Sequence, residues 1–194
     1  MTQHTKPPYI CQHAVIFAGG KSTRMGKDKA LLPFADETSL SQYQYKKLKQ
    51  IFAHVYIIAK KHKFNFDCEF IEDKYPESSP LVGLLSLFET LDAEEVFVLS
   101  VDTPFIDKSI IHQLLTPHPK ATLIIAQSPS GIQPLCGLYK KAILPLLQTQ
   151  YQQQNHKLQD LLQQTNTQYI TFLDNHPFTN LNYPKEYEEA LKLV

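Results

Sequence analysis

Short, mostly apolar runs alternate with helix-period segments along almost the whole chain, and that alternation limits the fold more than any other feature. The runs are Ala14 to Ala18, His54 to Ala59, Val96 to Val101, Ala121 to Ala126 and Tyr169 to Leu173, with Pro134 to Tyr139 as a sixth. The first, "AVIFA", is wholly apolar and stops at Gly19-Gly20, which reads as a central strand buried on both faces. Between the runs lie helical segments at Ser39 to Phe52, Leu81 to Leu91, Asp107 to Leu115, Lys141 to Gln154 and Tyr183 to Val194. Asp107 suits an N-cap, and Pro184 suits the first turn of the last helix. The pattern predicts an α/β layer fold with a mostly parallel sheet and right-handed crossovers. In such sheets ligands collect at the C-terminal strand ends.

At 194 residues the chain fits one domain, large enough for a core without metal or disulfide staples. We assign residues 1–12 to an N-terminal extension and 13–194 to the domain. Nineteen Lys and Arg balance nineteen Asp and Glu, so no overall basic field draws the protein to nucleic acid or to an anionic membrane. Any anion is bound locally. Cys11, Cys68 and Cys136 are widely spaced, with no C-x-x-C, which disfavours a zinc site or disulfide framework. "MTQHTKPPYICQ" lacks the apolar core of a signal peptide, and no run reaches the roughly 18 residues of a membrane span. The expected compartment is the cytoplasm. The eight histidines are scattered and read as surface or packing residues, and the glutamine-rich patch from Gln148 to Gln164 as a solvated helix face.

The loop after the first run is "GGKSTRMGKDK", Gly19 to Lys29. Glycines directly after a buried strand turn tightly and present backbone N–H groups to phosphate. Arg24 and Lys29 supply positive charge, the first as a bidentate fork and the second as a point charge. The P-loop pattern fails because Val15 stands where its first glycine belongs. The Rossmann pattern fails because Gly19 and Gly20 are adjacent and the next glycine is Gly26. A flexible, merely solvated turn is the competing reading. In "VLSVDTPFI", Asp102 follows an apolar strand directly, so its carboxylate stands at the sheet edge facing the same crevice. A hard oxygen ligand there suits Mg²⁺, which binds one or two carboxylates plus substrate phosphates.

"AGGKSTRMGKDKALL" resembles the A-G-G-x-S-x-R-M-G-x-D-K-A-L signature of the molybdenum cofactor guanylyltransferase family. The similarity continues at "IEDKYPESSPLVGLLS", at Asp102-Thr103-Pro104, at "QPLCGLY" and at "TNLNYPKEY", and it runs from Ala14 to Leu191. It implies a single-domain, Rossmann-like three-layer α/β/α sandwich of the nucleotide-diphospho-sugar transferase type. It also implies a catalytic set of Arg24, Lys29 and Asp102, with Asp102 holding Mg²⁺. Nucleotide contacts are implied at Phe17, Ala18, Gly19, Gly20, Gly26 and Asp73, and acceptor contacts at Gln133, Pro134, Asn180 and Asn182. This sequence departs from the family's pattern at Ile58, where asparagine is frequent, at Phe17, at Ser79 in place of glycine, and at Tyr183 in place of threonine.

The reaction so implied transfers GMP from GTP to molybdopterin carrying molybdenum, with pyrophosphate leaving, and transient contact with molybdenum-insertion or molybdoenzyme maturation proteins. Asp73 suits the N1–H and exocyclic amine of guanine and equally suits a ribose. Two rivals stand beside this reading. One is a cytidylyltransferase acting on the same pterin or on a sugar or isoprenoid phosphate, and the other is a nucleotide-binding module without turnover.

Overall fold

In the computed structural model, which describes residues 11–20 and 25–194, the first apolar run forms strand β1, His13–Phe17, and its side chains divide between two cores. Ala14 and Ile16 pack on one side, Val15 and Phe17 on the other. Among the described residues the further strands are β2 (His54–Ala59), β3 (Glu69–Glu72), β4 (Glu95–Ser100), β5 (Leu123–Ser128), β6 (Gly131–Lys140) and β7 (Thr167–Thr171). They form one sheet in the order β3-β2-β1-β4-β6-β5-β7. The helices are α1 (Leu40–Lys49), α2 (Pro80–Thr90), α3 (Lys108–Leu114), α4 (Leu144–Gln152), α5 (Leu158–Gln164) and α6 (Pro184–Leu191). Buried residues of α1, α3 and α6 join the core on the Ile16 face. Those of α2, α4 and α5 join the core on the Phe17 face. The result is a three-layer α/β/α sandwich, as expected. None of the described helices is long and apolar enough to cross a membrane.

The chain leaves β1 towards β2 and β3, then returns to place β4 on the other side of β1. That reversal opens a crevice at the C-terminal ends of β1 and β4. Two hydrogen bonds extend the pairing to its rim: the Val101 N–H donates to the Phe17 carbonyl at 3.1 Å and the Ala18 N–H to the Ile58 carbonyl at 3.0 Å. Strand β6 runs antiparallel to β4 and β5, so its beginning lies at the edge where the parallel strands end. Gln133, Pro134 and Leu135 reach the crevice for that reason.

Three elements differ from the sequence reading. The "EFIE" of β3 is an edge strand too short and too charged to stand out. Strand β6 begins earlier than expected, at Gly131, and its register against β5 shifts between Ile125 and Ala126. Pro134 falls inside that shift, where no ladder N–H is required of it. The glutamine-rich patch is not one helix face. Gln154 takes φ +56°, the left-handed conformation that ends helices, and Asn155 starts the next by accepting from the Lys157 N–H at 3.1 Å and donating to Asp160 at 2.7 Å.

Gly137 sits opposite Ile125 beside the register shift. A Cβ there would lie 2.2 Å from the Ile124 carbonyl oxygen, a backbone atom that cannot swing aside. Gly137→Ala is therefore expected to cost about 3 kcal/mol or more by overpacking. Urea unfolding measures this, and a midpoint like that of the unsubstituted protein would contradict it.

Candidate active site

The glycine loop is pinned at both ends. Asp28 accepts from the Ala30 N–H at 3.1 Å and so caps the short 3-10 turn Lys29–Leu31. Lys63, from beyond β2, pairs with Asp28 and donates to the Ala18 carbonyl at 3.1 Å, tying the loop's exit to its entrance. Gly20 has φ +135° and Gly26 φ +65°, and an added Cβ at either meets nothing within 4 Å. Glycine is thus required there by backbone conformation rather than by crowding. Arg24 lies outside the described residues.

The capped turn directs Lys29 across the crevice. Its ammonium donates to Asp102 at 2.6 Å and to the Asn182 side-chain oxygen at 2.9 Å. Ser100 Oγ donates to the other Asp102 oxygen at 2.6 Å. The Asp102 carbonyl accepts from the Leu181 N–H at 2.9 Å, which places Asn182 beside it. Glu186 in α6 accepts from the Asn182 and Tyr183 N–H groups at 2.6 and 2.9 Å, so the acidic side chain secures the helix start. Lys29 and Asp102 side chains are each 15% exposed. A pair so covered is rigid and lightly screened by salt.

Three cavities meet along this edge, all walled in part by Ser100 and Leu135. The first, about 250 Å³, lies over β2 and β3 and is lined by Phe17, Ile58, Lys60, Asp73, Ser79 and Gly83 among others. The second, about 370 Å³, holds Ala18, Gly19, Gly20, Lys29, Asp102 and Asn182. The third, about 460 Å³, holds Gln133, Pro134, Asn180, His156 and, again, Asp102 and Asn182. Of the expected site residues that are described, all but Gly26 line one of the three.

Several functional neighbours were not visible in the sequence. Gln44 of α1, fully buried, donates to the Thr103 carbonyl at 3.0 Å and lies within 3.4 Å of the Ser100 and Val101 carbonyls. One turn later Lys47 donates to the Pro104 carbonyl at 2.7 Å. Burial pulls the Lys47 ammonium down from the usual lysine range to about 7, and a neutral amine still donates to that carbonyl. Together they grip the segment that carries Asp102. Ser79 caps α2 by accepting from the Val82 N–H at 3.4 Å and also contacts His156 Nδ1 at 3.2 Å. A side chain in place of glycine therefore closes the wall between the first and third cavities. Cys136 lines the third cavity, but burial pushes its thiol up to about 12, so it offers no thiolate nucleophile at neutral pH. These contacts join residues far apart in sequence, and no local motif signals them.

The MobA-like NTP transferase domain matches residues 14–169. The chain belongs to this family. It is 34% identical over 180 residues to the molybdenum cofactor guanylyltransferase of Campylobacter jejuni, covering 91% of this chain and 94% of that one. It is 32% identical over 186 residues to that of Helicobacter pylori, covering 93% and 88%. The fold is shared with molybdopterin-guanine dinucleotide biosynthesis protein A from Archaeoglobus fulgidus, with a TM-score of 0.78, 17% identity, and 93% and 97% of the two chains covered. The protein is a nucleotidyltransferase of the α/β type that its sequence resembles.

Removing the Gln44 grip leaves the carbonyls of the Asp102 segment short of a donor. Gln44→Leu is expected to lower stability by about 1–3 kcal/mol and to lower kcat more than it raises the nucleotide KM. Thermal unfolding and steady-state kinetics read both. An unchanged kcat in the folded variant would detach α1 from the positioning of Asp102.

Proposed function

We propose that the protein transfers GMP from GTP to the terminal phosphate of molybdopterin in the molybdenum cofactor, releasing pyrophosphate and forming molybdopterin guanine dinucleotide. The observation that carries this reading is that Asp102 and Asn182 line both the glycine-loop cavity and the third cavity. A donor phosphate held by the glycine loop and an acceptor held by Gln133, Pro134, Asn180 and Asn182 then meet at Asp102. The relatives named molybdenum cofactor guanylyltransferase support the choice of donor and acceptor.

An oxygen of the acceptor phosphate attacks the α-phosphorus of GTP in line, and the bond from that phosphorus to the bridging oxygen of pyrophosphate breaks. A phosphate monoester has its second pKa near about 6 and is already largely ionised at neutral pH, so no side chain need remove a proton. The work left to the protein is positioning and charge stabilisation. The Gly19 and Gly20 amides face the phosphates, Lys29 stands at the carboxylate they approach, and Arg24 adds a guanidinium to the loop's positive charge. Asp73 contacts the nucleoside in the first cavity.

Among the described residues no three His, Cys, Asp or Glu side chains are grouped to hold a metal. Mg²⁺ does not ask for such a cage, since one or two carboxylates and the substrate's phosphates suffice, and Asp102 fits that role. Bound there, Mg²⁺ supplies charge neutralisation on the phosphates.

The test is turnover with GTP and molybdenum-loaded molybdopterin, followed by pyrophosphate release and dinucleotide formation. Asp102→Ala is expected to lower turnover by about 10²–10³-fold, the scale of a lost charge-stabilising group, while retaining the fold. Turnover with CTP in place of GTP, or undiminished turnover in Asp102→Ala, would contradict the reading.

A further inference from the structure

Lys60 and Asp73 are the two charged side chains that line the first cavity. Asp73 begins where β3 ends: its N–H donates to the Ala59 carbonyl at 2.9 Å, which brings it beside Lys60 at the end of β2. The Lys60 ammonium lies 2.8 Å from one Asp73 oxygen. The other oxygen accepts from Ser86 Oγ at 3.2 Å. Asp73 is therefore a fixed acceptor, with a side chain only 10% exposed, and Lys60 is a donor set next to it. Phe17, Ile58 and Gly83 give the same cavity apolar walls. Gly83 leaves room for the Phe17 ring, since a Cβ there would lie 2.6 Å from it. A flat ring between apolar walls with a donor and an acceptor at one edge is a base-reading site.

We propose that Lys60 is a further specificity-determining residue, donating to guanine O6 beside the Asp73 carboxylate that the guanylyl reading already sets against N1–H and the exocyclic amine. This deepens the guanylyl reading and rests on it. Guanine presents an acceptor followed by two donors along that edge, which complements a lysine beside a carboxylate. Cytosine presents a donor and two acceptors, and adenine a donor and an acceptor, so each turns a donor towards the lysine or a lone pair towards the carboxylate. Uracil matches at O4 and N3–H but sets its O2 lone pairs against Asp73. Sites built around such buried hydrogen bonds reject mismatched ligands strongly because their own polar groups are left unpaired. Lys60 also donates to the Tyr75 and Glu77 carbonyls. The Glu77 contact is solvent-exposed and is the one that O6 replaces.

The experiment measures Kd by calorimetry for GTP, CTP, XTP and 2-aminopurine riboside triphosphate, with the full chain and with Lys60→Met, Lys60→Arg and Asp73→Asn. Lys60→Met is expected to weaken GTP by about 10-fold or more, the scale of a lost hydrogen bond to a charged group, with Lys60→Arg restoring most of it. The same substitution leaves 2-aminopurine riboside triphosphate, which has no O6, nearly unaffected. Asp73→Asn moves preference from GTP to XTP, whose C2 carbonyl accepts from the new amide. An equal loss for GTP and the analogue in Lys60→Met would make Lys60 only a staple for the 73–77 loop and overturn the proposal. So would equal weakening of GTP and XTP in Asp73→Asn. If the unsubstituted protein prefers CTP, the guanylyl reading itself fails, and that result is separate from either of the others.

Discussion

Asp102 is bonded to three parts of the chain that are distant in sequence, and the site depends on that convergence. Its carboxylate accepts a hydrogen bond each from Lys29, after the glycine loop, and from Ser100, at the end of β4. Its carbonyl accepts one from the Leu181 N–H, in the segment that leads to α6. Without this meeting point the glycine loop, the β4 edge and the Asn180 to Asn182 turn would be three separate surface features. A partly covered ion pair contributes little to net stability once desolvation is counted. Its value here is geometric, because it sets a cation and a carboxylate where the glycine-loop cavity and the third cavity meet.

The layers behind that point exist to hold it still. Gln44 and Lys47 of α1 press on the carbonyls around Asp102 from one face of the sheet, while Gly83 of α2 admits the Phe17 ring from the other. Lys63 and Asp28 fix the two ends of the glycine loop. The binding groups thus hang on short links from a sheet whose central strands are buried on both faces, which is what preorganised charge stabilisation needs.

Much of this was legible in the sequence. The apolar run at Ala14 to Ala18 and the glycines after it announced a central strand and a tight turn at its end, because full burial and tight turning leave strong local composition. Asp102 was legible for the same reason, standing at the end of the apolar run that forms β4. The direction of β6 was not, since a strand's sense relative to its neighbours is set by crossovers rather than by its own residues. β3 was missed because four residues with a glutamate at each end carry almost no periodicity. Lys60, Lys63, Gln44 and His156 were missed because each acts through a partner far off in the chain. His156, read as surface or packing, packs against Tyr151 and also lines the third cavity.

The proposed function requires this crevice to seat guanosine triphosphate with Mg²⁺ at Asp102. The most direct measurement is the thermal stability of the protein with each of the four nucleoside triphosphates, with and without Mg²⁺, because a ligand that binds only the folded state raises its apparent stability by mass action. The expected result is a rise with GTP that exceeds the others and grows with Mg²⁺. A larger rise with CTP, or no metal-dependent rise with any nucleotide, would contradict it.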